Sequence, residues 1–155
     1  MENFNDRYWD KIRNLGIFSM AFPLIILIAS ILLLKKGLPE LVDNYEQGMA
    51  RIAQYILFAI GVLIFFFCDG ISDFFAQRLF AAGKQREQEN LSSYFAYVFI
   101  IMWMLNIISL SGFMGFLICR NLTWLTVFVI LNLSLQMKYF PSSRRFEKLL
   151  ELVKE

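Results

Sequence analysis

Long apolar runs alternate with short polar connectors along this chain, and the pattern predicts four membrane-spanning helices. Crossing a hydrocarbon core takes about 17 to 25 apolar residues. Four such stretches predict spans over residues 15–34, 51–78, 93–119 and 122–140. Because the connectors are short, we expect consecutive spans to be antiparallel. The predicted fold is an all-α integral membrane protein, a four-helix bundle of two consecutive helical hairpins forming a single membrane domain over 1–155.

Two flanking segments predict short amphipathic helices. In residues 1–14 the apolar side chains that fall near one side of a helix are Phe4, Tyr8, Trp9 and Ile12. Such a pattern is typical of a helix at the cytoplasmic membrane surface. A frayed polar tail is the alternative, since the segment is under four turns long. Residues 142–155 follow Pro141 and predict a cytoplasmic amphipathic tail, with Ser142 or Ser143 as its N-cap.

The distribution of positive charge predicts the orientation. Eleven of the 15 Lys and Arg residues precede the first span, separate the second from the third, or follow the fourth, and the other four are Lys35, Lys36, Arg51 and Arg120. The positive-inside rule then places both termini in the cytoplasm, which predicts a multi-pass protein of the cell membrane. The chain is 58% hydrophobic, above the roughly half that is usual in soluble domains. A net charge of only +2 gives no argument for a nucleic-acid partner.

Several chemistries are excluded by residue usage. The chain has no histidine, which excludes a His-ligated haem, a His-rich metal centre and a histidine general base. Cys68 and Cys119 fall on neighbouring spans at different depths, so a disulfide between them is not expected. No Cys-x-x-Cys motif is present. We therefore predict no catalytic residue, no metal site and no cofactor, and expect that the chain is not an enzyme.

Two carboxylates interrupt one of the most apolar stretches, FFFCDGISDFF over residues 65–75. If the following connector turns near Arg86, Asp69 lies nine residues from the end of its span, or roughly 13 Å inward at 1.5 Å per residue. At 100° per residue, Asp69 and Asp73 share one face with Ser72 while the phenylalanines take the other. We expect these acids inside the inner third of the span, facing protein, water or headgroups.

The third and fourth spans carry polar residues that predict a partner for this face. Asn132 and Gln136 repeat the four-residue spacing, which hints at a duplicated hairpin. The predicted intramembrane polar or ion site comprises Asp69, Asp73, Asn106, Ser109, Asn132 and Gln136. Two interpretations stay open. The amides are interhelical hydrogen-bond partners and the acids are interfacial, paired with Lys138 or Arg145, or the acids form a cation or proton site.

The function predicted from these features is that of a small multi-pass membrane protein. It acts as a subunit or accessory of a larger membrane assembly, or as a homo-oligomer, because four short-looped spans leave room for little beyond an interface. The alternative is a small channel or transporter with a proton or cation site at Asp69 and Asp73. Predicted partners are membrane lipids and a protein in the membrane, and the candidate contacts to anionic lipid are Lys138, Arg144, Arg145 and Lys148.

Overall fold

The structure, a computed structural model, describes residues 2–37, 47–80 and 87–152. These residues are helical throughout apart from short turns, and no strand occurs among them. The five helices are α1 (Glu2–Lys36), α2 (Gln47–Phe80), α3 (Glu87–Cys119), α4 (Leu122–Lys138) and α5 (Ser143–Leu152). Lys84 and Arg86 of the predicted inner connector, and residues 153–155 of the predicted tail, lie outside the described residues.

Helix α3 is the centre of the fold. It packs against α1, α2 and α4, whereas α1 packs mainly on α3 and α4. Four aromatic rings meet at one end of the molecule, from the start of α1, the end of α2, the start of α3, and α5. They are, in that order, Trp9, Phe80, Tyr94 and Phe146, and we call them the aromatic cap. At the other end, Cys119 Sγ lies 3.3 Å from Gln54 Oε1. The helices α1 to α4 therefore alternate in direction.

The predicted first hairpin differs from the structure. We expected α1 and α2 to pack on each other, but both pack on α3 instead, whereas α3 and α4 do pack together as a hairpin. The reason is the face that α3 offers to each neighbour. Tyr97 of α3 hydrogen-bonds Ser72 of α2 (2.6 Å), and Asn106 of α3 hydrogen-bonds Ser19 of α1 (2.9 Å). Two separate sets of polar contacts thus hold α1 and α2 to the same central helix.

The predicted helix boundaries are close to those observed except near the amino terminus. Residues 2–36 form one unbroken helix, so the predicted division between an interfacial helix over 1–14 and a span over 15–34 is absent. Gly16, next to the predicted division, is buried, and a Cβ there would lie 2.8 Å from Pro141 Cδ. This close approach binds α1 to the α4–α5 turn. That turn contains the predicted cap, since Ser142 Oγ accepts from the Arg145 N–H (3.3 Å).

Within the part of the chain that the structure describes, three helices are long and apolar enough to cross a membrane: Arg7–Lys36, Arg51–Phe80 and Asn90–Cys119. Helix α4 is apolar but has 17 residues, or roughly 25 Å at 1.5 Å per residue. Burial within the molecule runs against hydropathy. In their most apolar windows, the helix with the lowest mean hydropathy, α3, is 50% buried, whereas α1 and α2 are 22% and 17% buried. A protein folded by burying its most apolar helices away from water would bury α1 and α2 more than α3.

Close contact between α3 and α4 depends on glycine. Gly112 of α3 faces Phe128 of α4, and a Cβ on Gly112 would lie 2.6 Å from the Phe128 Cβ. Small residues let helix backbones approach in this way. The contact continues outward through a cluster that also includes α1, formed by Ile26, Phe116, Leu125 and Val129. The approach of α3 to α4 positions the polar side chains one and two turns away, which precede Gly112 on α3 and follow Phe128 on α4.

Candidate functional site

A network of neutral polar side chains joins α1, α3 and α4. Asn132 Nδ2 donates to Ser109 Oγ (2.7 Å) and to Asn106 Oδ1 (3.3 Å). Gln136 Nε2 donates to the same Asn106 Oδ1 (2.7 Å), and Asn106 Nδ2 donates to Ser19 Oγ (2.9 Å). We call these five residues the amide network. Asn106 is its hub, because this one side chain bonds to both α1 and α4.

Burial of the amide network makes its hydrogen bonds necessary. Ser109, Asn132 and Gln136 are all 0% exposed, and a buried amide without a partner costs about 1–3 kcal/mol. Helical spacing aligns the donors and acceptors, since Asn106 and Ser109 are three residues apart on α3 while Asn132 and Gln136 are four apart on α4. Within the described part of the chain, Asn132 Oδ1 and Gln136 Oε1 are buried with no hydrogen-bond partner. Because its donors reach their acceptors only when α1, α3 and α4 are aligned along their length, the network holds these helices in one register.

A second, charged group surrounds Asp69 near the aromatic cap. Lys138 Nζ lies 2.8 Å from both carboxylate oxygens of Asp69, and the Tyr139 hydroxyl donates to Asp69 Oδ1. The side chains of Lys138 and Asp69 are 54% and 66% exposed. Arg145 completes the group, with its guanidinium carbon 4.2 Å from the Tyr139 ring centroid and its Nη1 donating to the Lys138 carbonyl. This group ties α2 to the end of α4 at the molecular surface.

The single polar site predicted from the sequence is therefore two separate groups. Asn106, Ser109, Asn132 and Gln136 lie together as predicted, but Asp69 and Asp73 are not hydrogen-bonded to them. On α2 the helix face packed against its neighbours is formed instead by residues at four-residue intervals, Cys68, Ser72, Ala76 and Phe80, all buried. Asp69 and Asp73 each lie one position beyond this buried face and are exposed. Pairing of Asp69 with Lys138 was one of the two interpretations left open.

Three of the four predicted anionic-lipid contacts line one cavity. It has a volume of about 490 Å³ and lies between α2 and the start of α5, lined by Ser72, Asp73, Ser142, Arg144, Arg145 and Lys148. The fourth predicted contact, Lys138, is paired with Asp69 instead. We call this the basic cavity. Ser142, at its edge, is held by Tyr94, whose hydroxyl lies 3.2 Å from both the Ser142 carbonyl oxygen and the Ser142 nitrogen.

Sequence reasoning missed three residues that hold these groups. Ser19 is one hydroxyl in a long apolar run, and an isolated serine carries no periodic signal. Tyr97 was not singled out, although its hydroxyl is 2.6 Å from Ser72 Oγ. Tyr139 was not among the predicted site residues, yet its side chain is buried and bonded to Asp69. The one available signal for Tyr139 was that it follows Lys138, a predicted partner of Asp69.

A smaller, apolar cavity opens between α1 and α3. Its volume is about 250 Å³, and its lining includes Phe18, Phe22, Met102 and Trp103, with Ser19 and Asn106 as the polar members. Among the described residues, no group of three or more His, Cys, Asp or Glu side chains is arranged to hold a metal ion. The chemistry that the two polar groups offer is hydrogen bonding and ion pairing.

Comparison of the chain with known protein families, with curated proteins and with solved structures finds no match. The class that the fold defines is a helical protein with three helices that are long and apolar enough to span a membrane.

Proposed function

We propose that this chain is a multi-pass protein of the cell membrane, a four-helix bundle with α4 as the fourth span, in which the first turns of α1 and the whole of α5 are amphipathic. The arrangement of charge supports this. The four helix directions bring Lys35, Lys36, Arg51 and Arg120 to one end, and all other described Lys and Arg residues to the end with the aromatic cap. By the positive-inside rule, the capped end and both termini are cytoplasmic. Helix α4 needs only the following turn to reach the length of a span.

We propose further that the chain acts by association, as a subunit or accessory of a membrane assembly or as a homo-oligomer, without catalytic activity of its own. One observation carries this proposal. Helix α2 is attached along one side only, and a stripe of residues spaced three or four apart on its other side is exposed. We call this stripe the α2 face: Ile56, Ala59, Leu63, Phe66, Gly70 and Phe74.

The α2 face has the features of a helix-packing surface. Its spacing follows the heptad pattern along which helices pack side by side. Ala59 and Gly70 are small, and a Cβ on Gly70 would meet no atom within 4 Å, so a second helix can approach closely there. Helix α1 offers a contrast. Along its exposed side it presents bulky chains at most positions, including Phe18, Ile25, Ile28 and Leu32, which suit contact with lipid.

The test is the mass of the chain as it leaves the membrane. After gentle detergent extraction, native mass determination is expected to show either a homo-oligomer or a complex with another membrane protein. The same measurement after reconstitution at high dilution in lipid separates specific association from crowding. A monodisperse monomer under both conditions contradicts the association proposal but leaves the four-span topology intact, since topology is tested separately by labelling of the termini.

The alternative, a proton or cation site at Asp69 and Asp73, has less support. Asp69 is ion-paired with Lys138, which already neutralises the carboxylate, and Asp73 is exposed beside the basic residues of the cavity. Flux in vesicles tests this alternative directly. If the Asp69→Asn and Asp73→Asn double variant carries less proton or cation flux than the unmodified chain, the alternative replaces the association proposal. We expect no difference.

A further inference from the structure

We propose that the basic cavity is a binding site for a phosphate-bearing anion, either the headgroup of a membrane lipid or a soluble phosphate compound. The cavity lies at the capped end, where α5 crosses the end of α2. Its volume of about 490 Å³ is within the roughly 300–1,000 Å³ that is usual for small-ligand sites. It is large enough for a headgroup beyond the phosphate itself.

The charges that line the cavity select an anion. Arg144, Arg145 and Lys148 contribute three positive charges and Asp73 one negative charge, which leaves a formal excess of +2. Asp73 makes no ion pair with any described residue, so the cations of the cavity are not neutralised by it. Guanidinium groups suit phosphate in particular because their parallel N–H donors match two of its oxygens.

Arg145 is held in place by contacts on one face and along one edge of its guanidinium. Its face packs on the Tyr139 ring, with 4.2 Å from Cζ to the ring centroid, and its Nη1 donates to the Lys138 carbonyl. Its Nε is buried and has no hydrogen-bond partner among the described residues. The Nε and Nη2 donors form the other edge, the one that receives a phosphate side-on. The Nε donor is enclosed by protein, so an acceptor reaches it only if the surrounding side chains move, and that contact would then satisfy an unpaired donor.

The start of α5 adds polar groups of the same character. Ser142 caps the helix and lies on the wall of the cavity with Arg144. The amino end of a helix attracts anions through its unpaired N–H groups and its dipole. The basic side chains and this helix end thus converge on one volume, whereas Asp73 opposes an anion from the α2 side. We infer that Asp73 limits the affinity of the site.

The first experiment uses a soluble probe. The full chain in neutral detergent is titrated with sodium phosphate, with sodium chloride at equal ionic strength as the reference, and stabilisation against heat is measured. The second experiment uses lipid. The chain is reconstituted in phosphatidylcholine vesicles with and without phosphatidylglycerol and re-extracted, and the phosphatidylglycerol retained per chain is measured. A response to both probes assigns the site to the phosphate group in general, and a response to phosphatidylglycerol alone assigns it to a lipid headgroup.

Variants decide whether the basic cavity is responsible. The double variant, Arg144→Gln with Lys148→Gln, removes two exposed charges. A triple variant with Arg145→Gln removes the third positive charge of the cavity. The matched control removes three exposed charges elsewhere at the same end, by Arg7→Gln, Lys11→Gln and Arg78→Gln. We expect the double variant to weaken binding about tenfold or more, the control to change it less than about twofold, and Asp73→Asn to strengthen it.

Two results overturn the proposal. One is the absence of a response to either probe in the unmodified chain. The other is an equal loss in the cavity variants and the control, which would mean diffuse attraction to a basic surface. The lipid experiment rests on the membrane placement proposed above, but the sodium phosphate experiment does not. Binding can therefore fail while native mass still shows a complex, and the reverse can also occur.

Discussion

Helices α2 and α3 are antiparallel neighbours of nearly equal length, yet they differ in how much of their surface is buried against other helices. Helix α3 is half buried in its apolar window, and it is bound to α1 and α4 through Asn106 and to α2 through Tyr97. Helix α2 is only 17% buried there and carries its charges on the exposed side. The difference teaches that the side chains holding this fold together lie on α3, while those left for other molecules lie on α2.

The largest effect is expected from the hub of the amide network. Asn106→Leu removes three interhelical hydrogen bonds and leaves the buried Gln136 amide without its acceptor, while Asn132 keeps only its bond to Ser109. We expect a loss of about 2–3 kcal/mol in the free energy of unfolding, measured by reversible unfolding in mixed micelles. Ser134→Ala is the control, because Ser134 is exposed and bonds only to the Ile130 carbonyl of its own helix. Equal losses for the two variants would contradict the central role of α3.

A glycine pair on α3 gives the next largest effect. Gly112→Ala puts a methyl group 2.6 Å from the Phe128 Cβ, an atom that cannot swing aside, whereas Gly115→Ala meets nothing within 4 Å. Overpacking of this kind costs about 1–3 kcal/mol. Gly115→Ala is expected to be neutral or stabilising, by up to about 1 kcal/mol from helix propensity. The same unfolding measurement on both variants compares a close helix approach with an open position on one helix.

The smallest effect is expected on α2, at the Asp69–Lys138 pair. Both side chains are more than half exposed, and such pairs contribute about 0–1 kcal/mol. A double-mutant cycle with Asp69→Asn and Lys138→Gln measures the coupling energy. A coupling above about 2 kcal/mol would mean that the pair lies in a low-dielectric environment, and the contrast drawn between α2 and α3 would then fail.

The sequence allowed much of the helical arrangement to be predicted, because long apolar runs leave little choice of secondary structure. It also brought Asn106, Ser109, Asn132 and Gln136 together correctly, since neutral amides in apolar helices find one another. Asp69 and Asp73 were misplaced because four-residue spacing defines a shared face but not which neighbour that face meets. Asn132 and Gln136 have the same spacing and are buried, since burying a neutral amide costs far less than burying a charge.

The sequence also did not predict that α1 and α2 pack on α3 and not on each other. Short connectors predict that consecutive helices are neighbours, but they do not exclude a later helix from lying between them. Ser19 and Tyr97 decide that outcome, through single hydrogen bonds to α3 and α2. A lone serine and a lone tyrosine in apolar surroundings carry no signal that distinguishes such contacts from ordinary burial.

Association through the α2 face is tested most directly by one pair of tryptophan variants. Ala59→Trp fills the small position at which a second helix would approach, and Ala29→Trp makes the same change at an exposed position of α1. The fraction of chain in complex is measured against dilution in lipid bilayers. We expect Ala59→Trp to weaken association about tenfold or more and Ala29→Trp to leave it unchanged. Equal association in the two variants would contradict the role assigned to α2.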